Sequence, residues 1–309
     1  MDAIRIGTRG SKLALTQTKW VAARLQALHP GLTVDIEIIR TTGDRIQDRP
    51  LEAIGVKGAF TKELDIAQLE GAVDVVVHSL KDLPTTTPDG LVIAAIPERA
   101  DARDGFFSRT GDALAQMSKG ARIGTSSLRR RAQLLAMRPD IEPVDIRGNI
   151  DTRLEKMRGS GQVDGIVLAL AGVGRLGMEY QITEALSISE WLPAPGQGAL
   201  AVTARSDDEA VRKLLSALDD PATRVAVSAE RAVLARVEGG CHVPLGAYAT
   251  VDGDKLALDA LIAAPNGELL IRTDIKTDTA NAVEAGTKLA EILLEQGGAA
   301  ILAALEHKN

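Results

Sequence analysis

The sequence is poor in the residue types on which several classes of function depend. One cysteine and four histidines in 309 residues exclude an internal disulfide and argue against a zinc site built from Cys and His. Aromatic residues make up 2% of the chain, which leaves no platform for stacking nucleic-acid bases. Acidic residues are not clustered at ligand spacing, so no metal site is expected. No apolar run reaches the ~18 residues of a membrane-spanning helix, so no membrane association is expected.

Charge and the distribution of apolar residues indicate which partners and which location to expect. With 36 Lys and Arg against 42 Asp and Glu, the net charge is -6, which disfavours general attraction to nucleic acid. Residues 1–7 show no basic stretch followed by an apolar segment, so we expect a cytoplasmic protein. No stretch offers an obvious exposed apolar interface, and we therefore expect a monomer.

The N-terminal part of the chain alternates strands with helices, which predicts a largely parallel α/β sheet. Arg-Ile-Gly-Thr at 5–8 recurs at 122–125, and the string DVVVHSL from Asp74 has a partner, DGIVLAL, from Asp164. Two similar α/β domains are therefore expected. The elements predicted in the first domain are a strand at 3–7, a helix at 11–28, a strand at 33–40, a helix at 62–69 and a strand at 73–77.

Two segments are suited to join these domains, the short charged stretch 98–104 and the Pro- and Gly-rich return 192–198. After the return, the apolar stretch 199–204 is expected to add a strand to the first domain. Further on, a helix at 222–237, hairpins at Asp252-Gly253 and Asn266-Gly267 and a helix near 281–296 predict an α+β domain. The predicted architecture is two similar hinged α/β domains, at 1–99 with 199–217 and at 103–192, plus a small α+β C-terminal domain at 220–309.

In open α/β sheets, ligands bind beyond the carboxyl ends of the strands. The predicted strand 73–77 leads into HSLKDLP, which puts a lysine and a carboxylate at such an end. Lys81 and Asp82 are therefore candidate catalytic residues. In the alternative interpretation, Asp82 caps a turn before Pro84 and Lys81 is solvated.

A second strand end combines hydroxyl groups with arginines. The strand at 122–124 leads into TSSLRRR, where free backbone donors, the helix dipole and guanidinium groups suit a carboxylate or a phosphate. The alternative is a capped helix with a solvated basic face. No GxxxxGK[ST] loop and no GxGxxG turn supports a nucleotide. Arginines recur after other strands, so we expect a ligand with several carboxylates in one cleft. The candidates are Thr125, Ser127, Arg129 and Arg130 in the string itself, and Arg9, Ser11, Arg147, Arg153 and Arg175 elsewhere.

Two glycine-containing loops supply the last candidate site residues. Residues 55–60 carry Lys57 and Phe60 and are long enough to move over a cleft, or they form a plain connection. The only thiol, Cys241, follows two glycines, which indicates close backbone approach. The alternative is a buried, inert cysteine. His242 adjoins the thiol, but neighbouring side chains need not meet, and no role is assigned to it.

The strings HSLKDLP, GTSSLRRRAQL, DIRGNIDTRL, LPAPGQGAL and EGGCHVPLGAY, in this order, resemble the porphobilinogen deaminases, also called hydroxymethylbilane synthases. The resemblance runs from Ile4 to the final helix, with small departures at Lys12 and Gly174. It implies a transferase of haem and tetrapyrrole biosynthesis. Such an enzyme deaminates porphobilinogen and joins four molecules head to tail into the linear tetrapyrrole hydroxymethylbilane.

The resemblance also implies a dipyrromethane cofactor, held by a thioether to Cys241. Asp82 is then the catalytic carboxylate near pyrrole N–H groups, and Lys81 assists it. Lys57 and Phe60 fall in a mobile loop over the site. The implied cofactor-binding residues are Thr125, Ser127, Arg129, Arg130, Lys81 and Asp82, and the implied substrate-binding residues are Arg9, Ser11, Arg147, Arg153, Arg175 and Gln197.

Two other classes of protein fit parts of the pattern. Two hinged lobes are periplasmic-binding-protein-like, and they also describe the effector domains of transcription regulators. A secreted binder needs a signal sequence and a regulator needs a DNA-reading module, and the sequence shows neither. A carboxylate-dependent metal enzyme is the third reading, against which the scattered acidic residues argue.

Overall fold

A computed structural model of the chain describes residues 1–42, 61–159, 161–237 and 243–306. Lys57, Phe60 and Cys241 lie outside the described residues. The chain divides into two compact units, unit 1 with Met1–Ala100 and Ala199–Arg224, and unit 2 with Asp101–Gly198 and Val225–Asn309. The finer division into three domains stays a prediction. No helix in the described ranges is both long and apolar enough to cross a membrane.

Thirteen strands and nine α-helices are described, and they are numbered here in chain order. The strands are β1 (Ala3–Thr8), β2 (Thr33–Ile38), β3 (Val75–Ser79), β4 (Leu91–Ala95), β5 (Asp104–Ser108), β6 (Arg122–Gly124), β7 (Glu142–Val144), β8 (Gly165–Ala169), β9 (Glu184–Ala185), β10 (Leu200–Arg205), β11 (Leu245–Asp252), β12 (Lys255–Ala263) and β13 (Leu270–Asp278). The helices are α1 (Lys12–Leu28), α2 (Lys62–Leu69), α3 (Leu128–Met137), α4 (Ile150–Gly159), α5 (Leu170–Arg175), α6 (Glu209–Leu215), α7 (Pro221–Arg236), α8 (Ala282–Leu293) and α9 (Ala299–Glu306).

Unit 1 is built on a five-stranded sheet in the order β2-β1-β3-β10-β4. β1, β2 and β3 are parallel, and β10 runs antiparallel to both of its neighbours. One core lies under α1, where Val21 and Leu25 pack with Ile4 of β1 and Val75 of β3. The strand predicted after the return is therefore confirmed as a member of the first sheet.

Unit 2 contains a five-stranded sheet of the same design, in the order β7-β6-β8-β5-β9. β6, β7 and β8 are parallel, and β5 runs antiparallel to β8 and β9. A parallel trio followed by one antiparallel strand occurs in both sheets. This shared order confirms the predicted pair of similar α/β folds.

Unit 2 also contains the antiparallel sheet β11-β12-β13, which confirms the predicted hairpins and the small α+β element. Its core joins Val233 of α7 and Leu289 of α8 to the sheet residues Leu258 and Ile262. Inside the same unit, a separate apolar cluster packs Ala132 of α3 with Leu192, Leu261 and Ala263. The arginine-bearing helix α3 is therefore supported from the C-terminal sheet.

Two elements differ from their predicted bounds. The strand expected at 73–77 begins at Val75, because the Asp74 carboxylate is held by the backbone N–H and the guanidinium group of Arg5. The last predicted helix ends at Leu293, and α9 follows it after a turn in which Gly297 has a φ of 116°. That backbone conformation suits glycine and interrupts the helix.

Candidate active site

Unit 1 gathers four of the predicted site residues at one edge of its sheet. β1 and β3 lie side by side and parallel, so their carboxyl ends meet at the same edge. Arg9 and Ser11 follow β1, and Lys81 and Asp82 follow β3. The Ser11 side chain caps α1, its Oγ accepting a hydrogen bond of 3.3 Å from the backbone N–H of Ala14. This cap fixes the start of the helix beside the arginine.

A single turn of 3₁₀ helix, Leu80–Asp82, presents the catalytic candidates. Leu80 is fully buried, and its backbone N–H donates to the carbonyl oxygen of Ala199 at 3.0 Å. The turn is anchored at its first residue, which leaves Lys81 half-buried and Asp82 exposed. The Asp82 carboxylate is therefore accessible, as a group that contacts substrate must be.

A buried histidine lies just before this turn and was not among the predicted site residues. Burial, together with the positive charge of Arg9, lowers the pKa of His78 to about 4. Its Nε2 atom has no hydrogen-bond partner among the described residues. The imidazole is therefore neutral at neutral pH, and Arg9 supplies positive charge at this edge.

The corresponding strand end in unit 2 is shaped by hydroxyl groups. Thr125 is buried directly after β6, and its Oγ1 accepts a hydrogen bond of 3.2 Å from the backbone N–H of Ser127. The Ser127 Oγ in turn caps α3, accepting from the backbone N–H of Arg130 at 3.4 Å. Both hydroxyls thus help to build the turn that positions the two arginines of α3.

The two arginines of α3 are largely buried, with 4% of Arg129 and 8% of Arg130 exposed. Both pair with one carboxylate, that of Asp104 at the start of β5, over distances of 2.9 and 2.7 Å. Burial alone would raise the pKa of Asp104, but the two guanidinium groups hold it well below its usual range. The pair is therefore ordered by the protein itself.

Two further arginines of unit 2 are half-buried cations, and the structure shows no carboxylate paired with either among the residues it describes. Arg153 Nε donates to the carbonyl oxygen of Gly148 at 2.7 Å, and Arg175 Nη2 donates to that of Gly198 at 2.8 Å. Burial lowers the pKa of both to about 10, and for Arg153 the charges of Arg130 and Arg147 contribute. Both remain charged at neutral pH and would gain from an added anion.

Gln197 and Asp104 belong to the same buried network. The amide group of Gln197 is fully buried and donates to the Ala102 carbonyl oxygen and to Asp104 Oδ1, each at 2.8 Å. A direct contact of Gln197 with substrate stays a prediction. Asp104 and its partner Trp191 were missed from the sequence, although a carboxylate directly before an apolar strand and a tryptophan N–H needing a partner were available signals.

The described residues of unit 2 suit a ligand with several carboxylates. Arg129 and Arg130 share the carboxylate of Asp104, and the positive charges of Arg130 and Arg147 both act on Arg153. The Nε atom of Arg130 is buried without a hydrogen-bond partner in the described part of the chain. An anion with oxygen acceptors would satisfy this donor and offset the cost of buried positive charge.

Comparison with known proteins gives matches along nearly the whole chain. Residues 4–213 match the family model described as porphobilinogen deaminase, dipyromethane cofactor binding domain, and residues 225–295 match its C-terminal domain. A protein named porphobilinogen deaminase from Roseiflexus castenholzii is 52% identical over 98% of this chain and 99% of its own length. One of the same name from Syntrophotalea carbinolica is 49% identical over 99% of this chain and 96% of its own.

Proposed function

The chain belongs to the porphobilinogen deaminase family, and on that premise we propose that it builds hydroxymethylbilane from four porphobilinogen molecules on a dipyrromethane cofactor. The resemblance seen in the sequence motifs is thereby confirmed. The chain is a transferase of tetrapyrrole biosynthesis, and its residues 4–213 match the model of a dipyrromethane-cofactor-binding domain. We further propose that it acts as a cytoplasmic monomer without nucleic-acid or membrane partners, which rests on composition and charge.

The observation that carries the proposal is the surplus of partly buried positive charge in unit 2. Arg153 and Arg175 bond to backbone carbonyl oxygens rather than to carboxylates, and a buried donor of Arg130 has no partner among the described residues. Each pyrrole ring of the substrate class carries two carboxylates. Binding such a chain would compensate charges that no described carboxylate compensates.

We assign the cofactor to the residues around the start of α3. Arg129 and Arg130 would bind its carboxylates, and Thr125 and Ser127 would fix the turn from which these arginines extend. Cys241, outside the described residues, would form the thioether. Once bound, the dipyrromethane would supply the first nucleophilic pyrrole carbon. Lys81 and Asp82 complete the proposed cofactor contacts.

Asp82 is the proposed catalytic residue. When porphobilinogen loses ammonia, positive charge builds on its pyrrole nitrogen, and a carboxylate beside the N–H group stabilises that charge. Lys81 would assist by binding a substrate carboxylate next to Asp82. The exposed position of Asp82 after the anchored Leu80 turn suits this role.

The remaining predicted residues would bind substrate or cover the site. The carboxylates of the incoming and growing pyrroles would bind Arg9, Ser11, Arg147, Arg153 and Arg175, with Gln197 supporting them. Lys57 and Phe60, in the segment that is not described, would belong to a loop that closes over the substrate.

The substitution Arg153→Leu tests the role of the surplus charge. Removing a cation that lacks a carboxylate partner should leave the melting temperature unchanged or raise it, because a buried unpaired charge is costly. Elongation should nevertheless stall, and intact-mass measurement after addition of porphobilinogen should show shortened chains accumulating. Arg158→Leu is the control, since Arg158 is exposed on the same helix and bonds to Gln181. Wild-type elongation in Arg153→Leu would remove Arg153 from the site.

A further inference from the structure

Asp104 is a fully buried carboxylate that none of the recognised motifs includes. Its Oδ1 accepts hydrogen bonds from Arg130 Nη2 at 2.7 Å and Gln197 Nε2 at 2.8 Å. Its Oδ2 contacts Arg129 Nη1 at 2.9 Å and accepts from Trp191 Nε1 at 2.8 Å. Four donors occupy the four lone-pair positions of the two oxygens. Every acceptor position of Asp104 is therefore used to hold protein groups.

The charge around Asp104 does not cancel among the residues that the structure describes. Two guanidinium groups face one carboxylate there, which leaves one positive charge over. The other hydrogen bonds that these guanidinium groups make to the described residues go to neutral carbonyl oxygens, with Arg129 Nη1 donating to Leu192 O at 2.7 Å and Arg130 Nη1 to Val167 O at 3.0 Å. The buried Nε of Arg130 has no partner among the described residues. The cluster is thus ordered, yet it retains capacity for one more anion.

We infer that Asp104 is a positioning residue, which holds Arg129 and Arg130 in one orientation and leaves one of their charges for a ligand carboxylate. This inference rests on the proposed function, in which these arginines bind the cofactor. Trp191 and Gln197 extend the arrangement, because each fixes one oxygen of Asp104.

The substitution Asp104→Asn has two opposite effects on the affinity of the arginine pair for a ligand carboxylate, one through charge and one through orientation. The substitution raises the net charge of the cluster, which by itself would strengthen its attraction for an anion. It also replaces one of the two acceptor oxygens by an amide NH2 group, which cannot accept a hydrogen bond, so the two guanidinium groups no longer share one anchoring carboxylate. Carboxylate recognition by arginine depends on aligned donors. Orientation therefore dominates, and the substitution weakens ligand binding.

The test uses protein without its covalent cofactor, produced in a host that cannot make porphobilinogen. The rate at which the chain gains its covalent adduct after addition of porphobilinogen is read by intact mass. We expect Asp104→Asn to gain the adduct about 10- to 100-fold more slowly than wild type, as for lost charge-assisted hydrogen bonds. The control is Leu114→Ala, which removes buried apolar atoms from the core that contains Trp191. The two variants are compared at matched distances below their own melting temperatures.

A purely structural role would slow both variants alike, and that result would overturn the inference. Trp191→Phe is the second variant and decides the matter if Asp104→Asn does not fold. It keeps both ion pairs and removes one hydrogen bond to Oδ2. We therefore expect the chain to gain its covalent adduct about three- to tenfold more slowly than wild type. Loading at the wild-type rate in a folded Asp104→Asn, or in Trp191→Phe, would overturn the positioning role and leave the proposed function intact. A wild-type chain that gains no adduct would instead contradict the proposed function.

Discussion

At the scale of single residues, Asp82 has the most direct chemical role in the account. A carboxylate ~4 Å from a developing positive charge contributes about 4 kcal/mol at an effective dielectric constant of ~20. Since about 1.4 kcal/mol corresponds to a factor of ten in rate, Asp82→Asn should lower turnover by roughly two to three orders of magnitude. Steady-state turnover of porphobilinogen measures the effect.

Asp82→Glu is the matched variant, because it keeps the charge and moves it by one methylene group. Its loss of turnover should be smaller than that of Asp82→Asn. Thermal unfolding of both variants should stay close to wild type, since Asp82 is exposed. An Asp82→Asn protein with near-normal turnover would show that another group stabilises the charge.

His78 gives a prediction about pH. Its pKa is lowered from 6.5 to about 4 in the folded chain, so between these values the unfolded chain binds a proton that the folded chain does not. Stability is therefore lost as the pH falls through this window, by about 1.4 kcal/mol per unit and about 3 kcal/mol in all. His78→Gln should remove this part of the pH dependence.

Urea unfolding of wild type and His78→Gln at several pH values between 7 and 4 measures the difference in slope, with the upper pH values as the internal control. The two slopes should agree above the ordinary histidine pKa of ~6.5 and diverge below it. Parallel slopes over the whole range would mean that the imidazole protonates in the folded chain as readily as in the unfolded one.

At the scale of elements, the contact between α7 and α8 depends on a glycine. A Cβ atom added at Gly286 would lie 2.3 Å from the backbone oxygen of Ala229 and 2.7 Å from the Cβ of Ala232. At a solvent-exposed position in a helix, Gly→Ala stabilises the folded protein by up to about 1 kcal/mol. In a packed contact, the added methyl group instead costs about 1–3 kcal/mol or more. We expect Gly286→Ala to lower the melting temperature.

Gly159→Ala is the control, because an added Cβ at this last residue of α4 meets nothing within 4 Å. It should leave the melting temperature unchanged or raise it. Calorimetry of both variants suffices. A Gly286→Ala protein as stable as Gly159→Ala would show that α7 and α8 separate at no cost.

The elements themselves were largely predictable, because their signals are local. The cap of α3 was part of the alternative interpretation of its string, and the Asp-Gly and Asn-Gly pairs predicted the hairpins of the C-terminal sheet. The extent of β3 was not predictable from its apolar run, because the Arg5 and Asp74 pair that sets its start joins distant parts of the sequence. The close approach at Gly286 is likewise a long-range property.

Residues of the candidate site could be predicted only where they lie in recognisable sequence motifs. Asp82 and the arginines of α3 lie in recognisable strings, whereas Asp104 does not. Its role depends on four donors from two other segments, Arg129 and Arg130 in α3 and Trp191 and Gln197 in the segment 191–197, which only the fold brings together with it. A single acidic residue before a strand does not reveal such a network.

At the scale of the whole molecule, each unit carries part of the proposed machinery. Arg9, Lys81 and Asp82 belong to unit 1, and Asp104 with the arginine cluster belongs to unit 2. The chain passes from one unit to the other at 100–101, 198–199 and 224–225. The first passage falls within the charged stretch 98–104, the second at the end of the Pro- and Gly-rich return 192–198, and the third within the continuous helix α7.

The central claim is that this chain carries a dipyrromethane bound covalently through Cys241. The most direct measurement is the intact mass, under denaturing conditions, of the purified wild-type protein beside Cys241→Ser. We predict that wild type exceeds its polypeptide mass by two porphobilinogen units less two ammonia molecules, whereas Cys241→Ser has the bare mass and no turnover. An active wild-type protein of bare polypeptide mass, or a Cys241→Ser protein that keeps the adduct, would contradict the account.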